Sequence, residues 1–326
     1  MKADLDILKR LSEAYGPPNS EDEVKTILKN ELNEFADSVR EDRLGNIFFH
    51  YEGEKGKPLV MLAAHMDEVA FMVTHIEEKG FLRFHTLGGM TVHVMPGQRI
   101  IFRGAKGNVQ AIIGTKPPHI MTEEERKNLV PMENLFVDVG ARNKEEVIEK
   151  GIDIGTIGVF DVSFTELGKG YVMGKAFDDR AGCAVMAHVF KKLKGSRTRV
   201  VAVGTVQEEV GLRGARVAAW QLEPDYGLAL EGSFTADVPG SKPHQISAKL
   251  CDGPIVTIAD RTTLTHPKVL RVLVQTAKNF RIPFQFKKIP KGGTDAGSIH
   301  LTKAGVPSGT VAVPCRYIHG PASILY

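Results

Sequence analysis

The sequence predicts an α/β fold in which a largely parallel central sheet is interrupted by a β-rich insertion, and three observations lead there. Strand-like and helix-like segments alternate toward both ends of the chain. Leu59 to Ala64 and Val200 to Thr205 are continuous apolar runs, the pattern of strands covered by helices on both faces. Between about Val69 and Gly170 the texture changes to short β-like runs separated by glycine.

In chain order, Asp4 to Ala14 and Glu21 to Phe35 read as helices, the second introduced by a capping box of Ser20 with Glu23 three residues on. Gly45 to Phe49 and Leu59 to Ala64 follow as strands and begin the sheet. The insertion holds Phe71 to Val73, Phe81 to Phe84, Ile100 to Phe102 and Val109 to Ile113. Alternation then resumes with a helix from Asp179 to about Leu193 and strands from Val200 to Gln207 and Gly227 to Glu231. A helix from His266 to Phe280 and a strand from Gly309 to Val313 complete the pattern. The simplest architecture is one three-layer domain assembled from residues 1–68 and 166–326, with residues 69–165 as a β-rich, barrel-like insertion.

At 326 residues, 42% of them hydrophobic and 25% charged, the chain can bury a substantial core. No segment approaches the ~18 consecutive apolar residues of a membrane span. The opening MKADLDILKRLSEAYG lacks both an apolar core and a small-residue cleavage site, so a cytoplasmic protein is expected. The 42 Lys and Arg stand against 39 Asp and Glu and are dispersed, which argues against nucleic acid as a partner. Three cysteines, Cys183, Cys251 and Cys315, are far apart and odd in number, excluding a disulfide scaffold or a thiolate zinc cluster. Any metal must therefore be held by oxygen and nitrogen.

Phosphate loops, dinucleotide fingerprints, the H-E-x-x-H zinc motif and the hydrolase serine elbow are all missing from the sequence. What remains is a set of acidic and histidine residues placed where buried strands run out into loops, the edge at which open α/β sheets bind ligands. His65 and Asp67 follow the strand Leu59 to Ala64 and point the same way, so one can ligate a metal while the other orients it. Asp178-Asp179 precedes a helix; Asp179 suits an N-cap, which leaves Asp178 free to bridge two cations. Glu208-Glu209 closes the strand from Val200, and both can reach one site only if the strand breaks there, as Val210-Gly211 permits. Glu231 ends the strand from Gly227, and His319 follows the segment from Val311 to Ile318. Each has a plain structural alternative, a solvated turn or a cap. Together they form an oxygen and nitrogen donor set suited to zinc, cobalt or manganese.

The order and context of these pieces resemble the cytosolic dinuclear metallo-aminopeptidases that include glutamyl aminopeptidase and the tetrahedral (TET), self-compartmentalising aminopeptidases, some of which carry an endoglucanase label. The resemblance spans the chain through Ala64-His65-Met66-Asp67-Glu68, Lys175 to Cys183, Val206 to Ala215, Asp237-Val238-Pro239-Gly240, Gly292 to Gly297 and Arg316-Tyr317-Ile318-His319. It implies that His65 binds one metal and His319 the other, that Asp178 bridges them, and that Glu209 and Glu231 complete the two coordination spheres. Glu208 is then the general acid/base and Asp67 the partner of His65. The resemblance also implies a cis peptide at Asp178-Asp179 and an insertion that dimerises, with dimers assembling into a dodecamer. Position 231 is Glu where many relatives have Asp, Gly320 stands where Ser or Thr usually follows the histidine, and relatives usually continue past the position of Tyr326 into a final helix.

Two divalent ions per subunit, zinc first with cobalt or manganese as alternatives, would share a water and leave room for the α-amine of a short peptide. The competing readings are a related dinuclear deacylase or carboxypeptidase, a glycosidase using the carboxylates alone, and a catalytically silent assembly protein. The substrate side-chain pocket is expected from the Gly292 to Gly297 loop and the segment after Pro239.

Overall fold

The computed structural model describes residues 2–326, with side chains from Leu5 onward. Two helices, α1 (Lys2–Glu13) and α2 (Asp22–Leu32), precede the strands β1 (Ser38–Glu41), β2 (Ile47–Tyr51) and β3 (Leu59–His65). An antiparallel unit follows: β4 (Ala70–Ile76), β5 (Phe81–Leu87), β6 (Arg99–Gly104) and β7 (Gly107–Gly114), the short α3 (Glu123–Lys127), β8 (Phe136–Asp138), α4 (Lys144–Glu149) and β9 (Ile157–Phe160). The remainder runs β10 (Thr165–Gly168), β11 (Tyr171–Gly174), α5 (Phe177–Lys191), β12 (Arg199–Thr205), α6 (Arg213–Leu222), β13 (Tyr226–Phe234), β14 (Ile255–Val256), α7 (Pro267–Asn279), β15 (Gln285–Phe286), α8 (Ala296–Ile299), β16 (Ser308–Cys315) and β17 (Ser323–Leu325).

The main sheet has eight strands in the order β1-β2-β12-β3-β13-β16-β14-β15. Its centre is parallel, β12 with β3, β3 with β13 and β13 with β16, flanked by antiparallel neighbours. Continuous apolar strands are required here because both faces are covered. Ile47 and Phe49 pack into one cluster with Leu11, Leu28 and Phe190, while Phe48 between them packs on the other side with Ala215 and Ile299. The same alternation separates Leu62 and Ala64 from Met61 and Ala63. Helices α1, α2 and α5 thus lie on one face and α6 and α8 on the other, the three layers expected.

Strands β4-β5-β8-β7-β6-β9 close into a barrel. Its interior is filled by Phe71, Ile100, Phe102, Ile113, Val137 and Phe160, with Phe71 and Phe160 edge to face at 5.0 Å. Closure leaves no free sheet edge.

The capping box is a correction. Helix α2 starts at Asp22, and no side chain caps it. The Glu23 carboxylate instead accepts the Tyr15 backbone N–H at 2.9 Å and pairs with Arg103, while Glu21 turns inward. Tertiary partners outcompete the local motif. Strand β13 also runs three residues beyond Glu231, because Gly232, Ser233 and Phe234 continue pairing with β16 as far as Cys315.

One buried ion cluster joins the layers. The Glu68 carboxylate receives Lys175 Nζ at 2.7 and 2.8 Å and Arg180 Nη2 at 3.1 Å. These two cations also donate to the carbonyls of Leu11, Ala14 and Gly16 at the end of α1. Where α5 crosses β13 the backbones nearly touch: a Cβ on Gly182 would lie 2.3 Å from the Leu230 carbonyl oxygen. Removing Glu68 leaves two buried cations without their anion, so Glu68→Ala is expected to cost about 3–5 kcal/mol in urea unfolding. Glu54→Ala at the exposed Arg197 pair should leave the same curve essentially unmoved.

Candidate metal centre

Parallel strands deliver their C-terminal ends to one edge of the sheet. Thr205 is in register with His65 across β12 and β3, and β13 meets β3 at Ala229 and Ala63, two residues before Glu231 and His65. After Thr205 the chain leaves the sheet through Gln207, whose φ is 56°. Four consecutive backbone N–H groups lose strand partners in this turn, and side chains replace them. Val206 donates to Asn46 Oδ1 at 3.1 Å and Gln207 to Glu21 Oε1 at 3.2 Å. Glu208 and Glu209 donate to the two oxygens of Asp67 at 2.9 and 3.0 Å. This cradle breaks the strand so that both glutamates face one cavity.

Asp67 thus does more than attend His65. Its carboxylate holds the glutamate turn, and its own carbonyl, 3.1 Å away, accepts the His65 Nδ1–H. His319, at the backbone φ of 61°, donates its Nδ1–H to the carbonyl of Gly89 at 2.7 Å. A carbonyl only accepts, so in both rings Nδ1 carries the proton and Nε2 faces inward. There the Asp178 carboxylate divides itself, Oδ1 lying 3.3 Å from His65 Nε2 and Oδ2 3.2 Å from His319 Nε2. Glu231 stands 3.6 Å from His65 Nε2 and Glu209 3.4 Å from His319 Nε2.

Asp179 follows a different logic. Its carboxylate accepts N–H groups from Gly182 at 2.9 Å and His65 at 3.1 Å, so it caps the regular part of α5, which begins after the non-helical Asp178 and Asp179, and braces β3. Its oxygens also fall within 4.8 Å of ligand atoms of His65 and Glu231, while a second such group joins His65, Asp178 and Glu209. The Asp178–Asp179 peptide is cis, as the resemblance implied.

The electrostatics of this pocket are extreme. Burial, then neighbouring Asp179, drives Glu231 far above the usual carboxylate range, and burial raises Glu208 likewise and Glu209 to about 7. Burial opposes a charge on His319, yet Glu209 and Asp178 push it up to about 10. For His65 the opposition of burial is overcome by Glu208, Asp178 and Asp67. Burial would raise Asp178 too, but the two histidines hold it below its usual value.

The residues fit divalent cations. Donor atoms around one tetrahedral zinc at ~2.05 Å lie about 3.3–3.4 Å apart, the spacing Asp178 keeps to both histidines. Glu209 Oε1 is buried with no hydrogen-bond partner, an acceptor that a cation would satisfy.

A model of the M42 glutamyl aminopeptidase family matches residues 45–326. The chain belongs to that family. A lysyl aminopeptidase of Pyrococcus furiosus is 33% identical over 98% of this chain and 92% of its own. The crystal structure of a TET aminopeptidase from a marine sediment Thaumarchaeota archaeon superposes with a TM-score of 0.96 at 39% identity, covering 99% of this chain and 91% of that one. The TET1 peptidase of Pyrococcus horikoshii, which can assemble into a tetrahedron or a large octahedral shell, gives a TM-score of 0.86 at 28% identity over 99% and 94% of the two chains. This M42 chain is therefore a peptide hydrolase of the aminopeptidase type.

The candidate site of this M42 chain occupies a cavity of about 1180 Å³ that His65, Asp178, Glu208, Glu209, Glu231 and His319 all line. Gly292 to Thr294, half of the loop from Gly292 to Gly297, line it too, but residues 240–260 do not. Asp237, two residues before Pro239, pairs with Arg316 at 2.7 and 3.0 Å, bracing the loop that carries His319. Gly320 donates its N–H to the Tyr317 carbonyl at 3.0 Å. Sequence reasoning missed Glu21, Asn46 and Asp295. Asp295 lay within a quoted motif, but its tasks, donating its N–H to Glu231 Oε1 and accepting the Thr205 hydroxyl, leave no local signal.

Glu21 yields a pH test. Burial, aided by Asp67, raises it from its usual 4.5 to about 7, and both N–H donors use Oε1, leaving Oε2 to carry a proton. A raised carboxyl is fully stabilising below about pH 4.5 and loses that contribution as pH climbs to 7, here about 3 kcal/mol. In urea titrations with metal chelated, wild type is expected to lose that much more stability than Glu21→Gln between pH 4.5 and 8.

Proposed function

We propose that this protein is a dinuclear metal-dependent aminopeptidase that removes the N-terminal residue from short peptides. The observation that carries the reading is Asp178, one largely but not fully buried carboxylate whose two oxygens face two histidines already fixed by carbonyls at their far nitrogens. A carboxylate so placed would suit bridging two cations. His65 and Glu231 would hold one, His319 and Glu209 the other, with zinc the first expectation and cobalt or manganese the alternatives. The extra methylene of Glu231 over Asp suits its place inside β13, where its backbone is committed to the ladder.

When bound, two such ions lower the pKa of a shared water toward neutrality and polarise the scissile carbonyl. Glu208 does the proton work. Its backbone is pinned by Asp67, while its carboxylate stands 3.8 Å from His65 Nε2 at the cavity wall. Burial keeps its proton affinity high, so it can take a proton from the attacking water and deliver it to the leaving nitrogen. Asp67 orients His65 through its backbone carbonyl and the base through its carboxylate, coupling the two through one residue.

A cytoplasmic dodecamer built from dimers, with residues 69–165 as the dimerising unit, is part of the proposal. Support comes from the TET1 assembly and from the absence, among the described residues, of any helix long and apolar enough to cross a membrane.

Glu208→Gln is expected to lower kcat by about 10²–10⁴-fold while elemental analysis still finds two ions per chain. Full activity with metal retained would remove Glu208 from its role. Chelation should abolish cleavage of unblocked peptides and added divalent metal restore it. N-acetylated peptides should resist throughout; their hydrolysis would favour a deacylase or endopeptidase. Light scattering is expected to give the mass of twelve chains.

A further inference from the structure

The rim of the same cavity carries two cations that the proposed chemistry does not use. Arg261 stands at the tip of a tight turn closed by the bridge between Ala259 and Leu264, and Lys291 precedes the loop that runs to Gly297. The Arg261 N–H donates to the Gly292 carbonyl at 2.9 Å, so two separate segments deliver the pair to one spot. Thr262 presses those segments together. A Cβ on Gly293 would lie 2.7 Å from its Cγ2, and one on Gly297 2.3 Å from its Oγ1. Both cations line the cavity as exposed side chains, and neither has a hydrogen-bond or ion-pair partner among the described residues.

The carboxylate next to Arg261 is committed elsewhere. Asp260 Oδ1 accepts the Thr262 and Thr263 N–H groups and the Thr262 hydroxyl, and Oδ2 accepts the Thr294 hydroxyl at 3.1 Å, so Asp260 shapes the turn. A third cation of the cavity, Lys287, is 7% exposed, with its Nζ 5.6 Å from the centroid of the Phe234 ring. Arg261 and Lys291 are the two left free to turn toward a ligand.

Chain length bounds how far this pair stands from the donor cluster. Asp295 donates its N–H to Glu231 Oε1 at 3.0 Å, and Lys291 lies four positions before Asp295. Four residues of chain span at most about 14 Å. An extended peptide advances about 3.3 Å per residue, so two to four residues cover the interval from the cluster to the rim. The charges are ordered in the same sense: Asp178, Glu208, Glu209 and Glu231 lie within, and the two free cations lie at the exposed edge. That order is complementary to a peptide whose amine enters first and whose carboxylate trails.

We propose that Arg261 and Lys291 together bind the C-terminal carboxylate of the substrate, so that free peptides of two to four residues are cleaved in preference to longer or C-terminally blocked ones. The assignment rests on the aminopeptidase reading and adds the far end of the substrate to it. Arg grips a carboxylate through two parallel N–H bonds, while Lys adds a point charge on a flexible stem.

The test uses the metal-loaded full chain, as wild type and as the double variant Arg261→Ala/Lys291→Ala. The substrates are Leu-Gly-Gly, its C-terminal amide, Leu-Glu-Gly-amide, and leucine followed by five glycines. Wild type is expected to favour Leu-Gly-Gly over its amide by about 10-fold in kcat/KM, chiefly through KM because the carboxylate is remote from the scissile bond. The double variant should bring that ratio, and the advantage over the six-residue peptide, to about 1. Lys291→Glu should make the amide the better substrate. A loss by the same factor on every peptide would show that the pair only supports the fold, and would overturn the proposal. So would cleavage of Leu-Glu-Gly-amide as fast as of Leu-Gly-Gly, which would assign the pair to an acidic side chain.

Calorimetry gives a readout free of turnover. Leu-Gly-Gly is expected to bind metal-loaded Glu208→Gln about 10-fold more tightly than its amide does, and the difference should vanish when Arg261→Ala and Lys291→Ala are added. Tighter binding of the free acid without cleavage of any peptide by wild type would sink the peptidase reading and leave the carboxylate site in place. Equal binding of acid and amide, with both cleaved by wild type, would do the reverse.

Discussion

Everything at the functional edge of this protein answers to one constraint, the burial of many carboxylates in a single pocket. Asp67, Asp178, Asp179, Glu208, Glu209, Glu231 and Asp295 crowd around two histidines, and most of them are almost wholly withdrawn from water. At the dielectric of a protein interior such a cluster would repel itself apart unless each charge had a partner. The fold meets the demand by sorting the carboxylates into two kinds. Asp67 and Asp179 each accept two backbone N–H groups and belong to the scaffold. Glu208, Glu209 and Asp178 are left without backbone donors and face the cavity, where divalent cations would meet them, and Glu231 does both, its Oε1 accepting the Asp295 N–H while Oε2 stands toward His65.

The scaffold carboxylates are also what shape the site. A strand alternates its side chains, so Glu208 and Glu209 could not both enter one cavity from a regular β12. The break after Thr205 strips four N–H groups of their ladder partners, and Asn46, Glu21 and Asp67 supply the replacements. These three come from separate elements, the loop before β2, the entry to α2 and the end of β3. The turn carrying the proposed base is therefore determined by the packing of the whole α/β layer, and Asp67 links it to His65 in the bargain.

What the sequence disclosed and what it hid follow from this physics. Apolar runs such as Leu59 to Ala64 announce two-sided burial directly, so the sheet, the layers and the positions of His65 and Glu209 at strand ends were legible. The glycine-punctuated insertion likewise announced β structure. Ser20 and Glu23 looked like a capping box because the motif is local, but Tyr15 and Arg103 lie elsewhere in the chain and claim Glu23 in the folded state. Glu231 was placed at a strand end because its partner strand β16 could not be aligned in advance. Glu21, Asn46 and Asp295 act through backbone N–H groups more than a hundred residues away or through a loop opposite, and no spacing in one sequence encodes such contacts.

The barrel shows the same interdependence from the other side. His319 is held not by its own domain but by the carbonyl of Gly89, in the loop leaving β5, and a Cβ on the preceding Gly88 would come within 3.1 Å of Glu209 Oε2. One histidine–carboxylate pair of the proposed centre is thus set against the insertion, whereas the His65 and Glu231 pair is built from the central sheet alone. A shift of the barrel relative to the sheet would disturb the first pair and spare the second. The insertion is consequently part of the site's geometry whatever else it assembles, and its contact through glycine, the one residue that lets backbone approach so closely, is what permits a barrel loop to reach a buried carboxylate cluster at all.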